Sequence, residues 1–297
     1  PATVFSERSK EHNYEQSLFE RLQKGRHAVT MLQTQYRMHP HISAFPSAHF
    51  YAGAIHDAPS VVSQPPRPWH ARRCLAPYVF YDVADGHAEQ SSSTWFNDLE
   101  AKLAVAIIEH LLTRHGESLS AASIGVITPY NGQVRHIRKL LADELGGTAA
   151  AVEVNSVDGF QGREKEFILF SCVRTRGLGF VRDRRRTNVS MTRALHSLLI
   201  LGHADALRED ALWAAVLDDA SARRCLLKAH SPVRIWFNSA VEEKALPPAE
   251  AAPAAEKAAA AKPAAKAAAA KAAAKPAAAA AKPADAAASK RPRRGRG

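Results

Sequence analysis

Apolar positions recur along this chain in two rhythms. Leu99, Leu103, Ile107 and Leu111 return every four residues between Asn97 and Gly116, as on one face of a helix. Asn97 followed by Glu100 has the form of a capping box, and Gly116 is a stop, so a helix is predicted over 98–115. Val134, Ile137, Leu141 and Leu145 repeat the rhythm behind Asn131, which can cap a second helix. Arg135, Arg138 and Lys139 mark its solvent face, and Gly146 with Gly147 ends it. Elsewhere the apolar runs are short and nearly unbroken: YVFYDV at 78–83, SIGVIT at 123–128, VEVNSV at 152–157, FILFSCV at 167–173 and SLLILG at 197–202. Strands buried on both faces of a parallel sheet read this way. Strands alternating with helices predict an α/β fold, a parallel sheet with helices on both faces.

The flanks are less regular. Residues 1–28 are polar and read as a connecting segment with one helix, QSLFERL at 16–22. The run AVTML just before Gln33 is a candidate short strand. Pro46, Pro59, Pro65, Pro66 and Pro68 break the next stretch into loops and short helices. After FILFSCV an arginine-crowded loop leads to a short helix that begins after Asn188 and carries Arg193. Helices rich in Ala and Leu over 205–229 complete the domain near Ser239. From Ala240 the composition falls to Ala, Lys and Pro, no aromatic follows Phe237, and seven prolines cut the alanine runs. Such a segment has little to bury, so residues 241–297 are expected to form a disordered tail behind a folded domain at 29–240.

Charge changes the picture only at the C-terminal end. The formal net charge is +11, but the 12 basic and 5 acidic side chains beyond residue 240 hold +7 of it, leaving +4 for the rest. The final KRPRRGRG has the form of a nuclear-import or nucleic-acid patch. Three cysteines, Cys74, Cys172 and Cys225, lie far apart with no zinc or redox spacing, which suits a reducing compartment. No apolar run approaches the ~20 residues of a membrane-spanning helix. His39, His41, His49 and His56 cluster without cysteine or carboxylate partners at ligand spacing, so packing is expected of them rather than a metal.

Four strings carry candidate chemistry. QYRMHP at 35–40 offers Arg37, whose planar fork can grip two phosphate oxygens, and Tyr36, whose ring can stack. VITPYNGQ at 126–133 ends a strand and opens a helix, where backbone N–H groups favour anions. SVDGFQGREKEF at 156–167 carries Gln161, Glu164 and two glycines, Gly159 and Gly162, that permit close backbone approach. RRRTNVSMTRA at 184–194 carries Arg193. Taken singly, these residues read as a local salt bridge, a plain strand–turn–helix and a solvated loop. Six arginines and one acid, Asp183, over 174–186 read as a basic surface, with Arg185 and Arg186 as weaker candidates for a structural role or strand contact.

Taken in order, the strings resemble the second RecA-like motor domain of a superfamily-1 helicase, of the type that includes senataxin and the nonsense-mediated-decay helicase. The resemblance spans roughly residues 1–210 and implies a RecA-like parallel sheet. It implies that Arg37 and Arg193 are catalytic, with Arg193 an arginine finger on the γ-phosphate. Tyr36, Gln161, Gly162 and Glu164 would bind the nucleotide, Tyr36 at the adenine and Glu164 at the ribose. Thr128, Pro129, Tyr130, Asn131, Ser156 and Val157 would lie along the nucleic-acid track. The implied cofactor is ATP with Mg²⁺.

The phosphate loop GxxxxGK[ST] and the acidic Mg²⁺ site that helicases need are not in this sequence. In the resembled family a first motor domain supplies both, and PATVFS at 1–6 looks like the residues that follow it. The expectation is therefore a piece of a longer protein, the C-terminal motor half of an ATP-dependent helicase. It would act on single-stranded RNA or DNA, move 5′ to 3′, and be inactive as an ATPase without its first domain. Its setting would be intracellular and nuclear, with the cytoplasm as the other choice. The alternative is a catalytically silent nucleic-acid-binding scaffold, against which the retention of Arg37, Arg193 and Glu164 argues.

Overall fold

The computed structural model describes residue 4 and residues 6–244. The expected disordered tail falls almost wholly on 245–297, outside the described residues, and so does most of PATVFS. Six strands form the main sheet: β1 (Tyr78–Asp82), β2 (Ile124–Thr128), β3 (Glu153–Ser156), β4 (Lys165–Ser171), β5 (Ala194–Gly202) and β6 (Leu226–Lys228). Their order is β6-β1-β5-β4-β2-β3, and every neighbouring pair is parallel. Six helices matter to the argument: α1 (Pro40–Phe50), α2 (Asp98–His115), α3 (Asn131–Leu145), α4 (Arg184–Met191), α5 (Ala211–Ala222) and α6 (Val233–Ala240).

Alternation along the strands divides the core into two layers. Val79, Tyr81, Phe167, Leu169, Leu199 and Leu201 enter the layer roofed by α2, α3 and α6. Tyr78, Phe80, Ile168, Phe170, Leu198 and Ile200 enter the layer roofed by α1, α4 and α5. Both faces are covered, which is why these strands read as apolar runs rather than as alternating ones. Among the described residues no helix is long and apolar enough to cross a membrane.

Helix α2 has the predicted bounds, and Asn97 caps it by accepting the Glu100 N–H at 3.2 Å. The Glu100 side chain does not close the capping box. It is fully buried and turned toward β4. The run AVTML is not a strand; the short strand is Thr34–Gln35, paired in parallel with His56–Asp57. There the Gln35 amide donates to Asp57 at 2.6 Å and accepts the N–H groups of Arg37 and Met38. Helix α1 opens with Pro40, which its first turn tolerates, and carries Pro46 through its buried face.

The helix expected after Asn188 starts earlier. Asp183 accepts the N–H groups of Arg185 and Arg186, so α4 opens at Arg184 and stops at Met191. Arg193 is left in the link to β5. The helices expected over 205–229 give way to β6 at the sheet edge. Residues with no apolar signature, Ala88–Ser91 and Thr94–Asn97, form an antiparallel hairpin.

Candidate active site and nucleic-acid interface

All six strands run the same way, so the sheet has two chemically different edges. Three segments meet at the N-terminal edge: the one following Thr34–Gln35, the link into β4 and the link into β5. The His39 N–H donates to the Leu195 carbonyl at 2.7 Å and ties the first of these to β5. Arg37 and Glu164 form an ion pair, Nε to Oε2 2.6 Å, and Arg37 also donates to the Thr192 carbonyl at 3.2 Å. The Arg193 guanidinium donates to the carbonyls of Val189 at 3.0 Å and Arg163 at 3.4 Å, and to the Thr192 hydroxyl at 3.2 Å.

Tyr36 stands 73% exposed beside this pair. Tyr36, Arg37, Glu164 and Thr192 line an open depression of about 430 Å³. Gln161 and Gly162 are exposed on the loop that carries Glu164, and Gly162 has φ 79°, a conformation that favours glycine. Burial, and then the charge of Arg37, lowers the pKa of Arg193. Two guanidiniums that disfavour each other, with Glu164 as the carboxylate near both, suit an arriving anion.

The other edge holds a different surface. Thr128 ends β2 and Ser156 ends β3, so the turns after them lie at the C-terminal edge. Pro129, Tyr130, Asn131, Ser156 and Val157 line a cleft of about 600 Å³ there. Thr128 itself is fully buried, and its hydroxyl accepts the Tyr130 N–H at 3.5 Å. Tyr130 is also buried; its hydroxyl accepts the Phe180 N–H at 3.3 Å. Thr128 and Tyr130 therefore shape the turn, while Asn131 opens α3. The Ser156 hydroxyl accepts the Gly159 N–H at 3.2 Å. Arg186, one of the weaker candidates, also lines it, paired with Asp158 at 2.9 Å, and so do residues not proposed as strand contacts: Trp95, Arg135, Asp158, Arg174 and Phe180. The signal for Trp95 was an aromatic pair, Trp95 and Phe96, in an otherwise polar run, SSSTWFN.

One segment joins the two edges. β3 and β4 are not neighbours, because β2 lies between them. The eight residues from 157 to 164 run from the C-terminal end of β3 to the N-terminal end of β4 and so cross the face of β2. They cross at Gly125, where a Cβ would lie 2.9 Å from Phe160 Cζ and 2.8 Å from Ile168 Cδ1. Phe160 is fully buried at that crossing. The same stretch thus carries Val157 at the cleft and Glu164 at the depression.

The chain matches the AAA domain family over residues 14–205. It is 40% identical over 245 residues to "Probable helicase MAGATAMA 3" of Arabidopsis thaliana, covering 80% of this chain and 30% of that protein. It is 40% identical over 239 residues to "Helicase SEN1" of Saccharomyces cerevisiae, covering 78% of this chain and 11% of that protein. It is 34% identical over 248 residues to "Probable helicase senataxin" of Homo sapiens, covering 77% of this chain and 9% of that protein. The chain spans less than a third of the length of these relatives. It belongs to the AAA domain family AAA_12, as a superfamily-1 helicase domain of the senataxin type.

Proposed function

We propose that this chain is the C-terminal motor half of an ATP-dependent helicase that moves along single-stranded RNA or DNA. The observation that carries the reading is the eight-residue crossing from 157 to 164, which ties the depression lined by Arg37 and Glu164 at one sheet edge to a cleft at the other. A motor must let nucleotide state and strand grip report on each other, and a short segment anchored by a buried Phe160 transmits displacement between them. The direction, 5′ to 3′, follows the family resemblance.

The residues gathered at this edge, in the depression and beside it, fit a triphosphate. ATP with Mg²⁺ supplies the phosphoryl group to be transferred, and a first motor domain would hold the Mg²⁺ and the phosphate loop. Arg37 and Arg193 would meet the phosphates, Tyr36 the adenine and Glu164 the ribose, with Gln161 and Gly162 also beside the nucleotide. Arg37 and Glu164 are paired with each other here. Nucleotide binding would exchange that pair for separate contacts, one to phosphate and one to sugar. Arg193 would stabilise charge on the transferring group, the role of an arginine finger. The 12 basic side chains beyond residue 240 would add strand affinity without sequence preference, falling steeply with salt.

The test is ATP turnover. The 297-residue chain alone, with single-stranded nucleic acid, should show none. Joined to a first motor domain with GxxxxGK[ST], it should show strand-stimulated turnover that Arg193→Ala abolishes. Turnover by the chain alone would overturn the half-motor reading.

A further inference from the structure

The hairpin from Ala88 to Asn97 docks on the start of α3 through a close approach and a buried amide. A Cβ on Gly132 would lie 2.6 Å from the Trp95 carbonyl oxygen, and the Gly132 N–H donates to the Thr94 hydroxyl at 2.9 Å. The Gln133 amide accepts the Asn97 N–H at 2.8 Å and donates to the Asn97 carbonyl at 3.1 Å. This docking sets Trp95 in the wall of the cleft. The Arg174 guanidinium carbon lies 4.0 Å from the centre of the Trp95 ring. Arg174 Nε and Nη2 both donate to the Arg176 carbonyl, at 3.1 and 2.7 Å.

Arg174 follows a strained turn. Val173 has φ 72°, an outlying conformation for a β-branched residue. The Arg174 N–H closes the turn on the Cys172 carbonyl at 2.9 Å. Strain of this kind persists only where the surroundings hold it. Two fully buried side chains hold it here. The Glu100 carboxylate accepts the Val173 N–H at 2.9 and 3.1 Å and the Ser171 hydroxyl at 2.6 Å. The Asn97 amide donates to the Val173 carbonyl at 3.2 Å. A buried carboxylate and a buried amide are thus spent on the turn that directs Arg174 toward Trp95.

We propose that Arg174 lying over Trp95 forms a stacking platform for an unpaired base of the bound strand, with Asn97 and Glu100 as positioning residues. The proposal rests on the reading that the cleft takes single-stranded nucleic acid. Two of the three guanidinium nitrogens are committed to the Arg176 carbonyl, which leaves the plane, its charge and Nη1 to a ligand. Aromatic and guanidinium faces stack on any base, which gives affinity without sequence choice. Phe180, 43% exposed on the same cleft, adds a second ring. The platform gives the strained turn a use beyond tying down the hairpin, whose Ala88 N–H also donates to the Thr175 hydroxyl at 3.1 Å.

The test separates base from phosphate. The full chain is titrated against a fluorescein-labelled 12-nucleotide single strand and against the same sugar-phosphate backbone with abasic positions, by anisotropy. The unaltered chain should prefer the base-bearing strand. Trp95→Ala should weaken that strand about tenfold and leave the abasic one unchanged. Trp95→Tyr should keep most of the preference. Glu100→Ala should lose the preference, and Glu100→Gln, which keeps the shape and an acceptor, should restore it. Equal affinities of Trp95→Ala and the unaltered chain for both strands would overturn the platform and leave the strand-binding reading standing. Equal weakening of both strands would overturn it too. Binding of neither strand by the unaltered chain would remove the platform and the reading beneath it.

Discussion

The two edges of the sheet solve different problems with the same residue type. At the N-terminal edge Arg37 and Arg193 are tethered by carbonyls, a hydroxyl and one carboxylate, beside an open depression. Their tethers are single contacts that an anion can replace. At the C-terminal edge Arg174 lies on an indole and is directed by a strained turn with buried support. On the proposed reading, arginines that meet phosphate keep side-chain contacts that phosphate oxygens can take over. An arginine meant to present its plane is held by its backbone.

The largest test of this contrast is chemical. With a first motor domain present, Arg193→Ala should lower kcat by about 10³ or more while nucleotide affinity changes much less. Single-turnover hydrolysis beside nucleotide binding separates the two, and strand affinity should stay as it was. A loss of strand affinity equal to the loss in kcat would erase the distinction between the edges.

The next effect lies in the support of the C-terminal edge. Burial pushes the Glu100 carboxyl from an ordinary 4.5 up to about 7, against the pull of the hydrogen bonds from Ser171, Val173 and Cys172. Between those values the native state binds the proton more tightly than the unfolded chain does. This contribution to stability is therefore whole below pH 4.5, declines as pH rises to about 7, and is flat above. Glu100→Gln, which cannot ionise, should gain on the unaltered chain by up to about 3 kcal/mol across that window. Urea unfolding at several pH values measures the difference between the two proteins. His39 and His70, whose pKa values burial lowers to about 4 and about 3, slope the other way but cancel in that difference. A constant difference from pH 4.5 to 7 would mean that Glu100 does not titrate there.

A smaller effect concerns the crossing between the edges. Gly125→Val would press a side chain against Phe160 and Ile168. Overpacking of this kind costs about 1–3 kcal/mol, read as a lower urea midpoint at unchanged m. In the two-domain protein it should also reduce the ratio of strand-stimulated to basal turnover. Full stimulation in a destabilised variant would show that the crossing carries no signal. The smallest effect is the control: Lys139→Ala breaks an exposed pair with Asp143 on α3 and should cost about 0.3–0.5 kcal/mol, with neither edge affected.

What was legible in the sequence follows from these physical differences. β1, β4 and β5 could be read because burial on both faces leaves an apolar run with nothing to confuse it. Arg37, Glu164 and Arg193 could be proposed from ordered motifs, and the structure brings them to one edge. The hairpin at 88–97 could not be read, because it is held by the Gln133 amide and the Gly132 contact rather than by an apolar face of its own. Arg174 was one of six arginines in a row of candidates, and what sets it apart, the closer 4.0 Å approach to Trp95 and the buried support of its turn, comes from residues far away in sequence. Glu100 looked like half of a capping box, and nothing local shows that its carboxylate is needed at Val173. Strand β6 was hidden inside an Ala- and Leu-rich stretch whose composition favours helix.

The strand order also bears on how the domain is made. β1 has two neighbours, β5 and β6, and both follow it by more than a hundred residues. A nascent chain therefore displays YVFYD as an apolar strand without a partner until residues beyond 194 have left the ribosome. Unpaired strands of this kind invite wrong pairing between chains. Truncations that stop short of Gly202 should aggregate during synthesis, so the productive boundary for expressing this domain lies after β6, whatever is done at its N-terminal side.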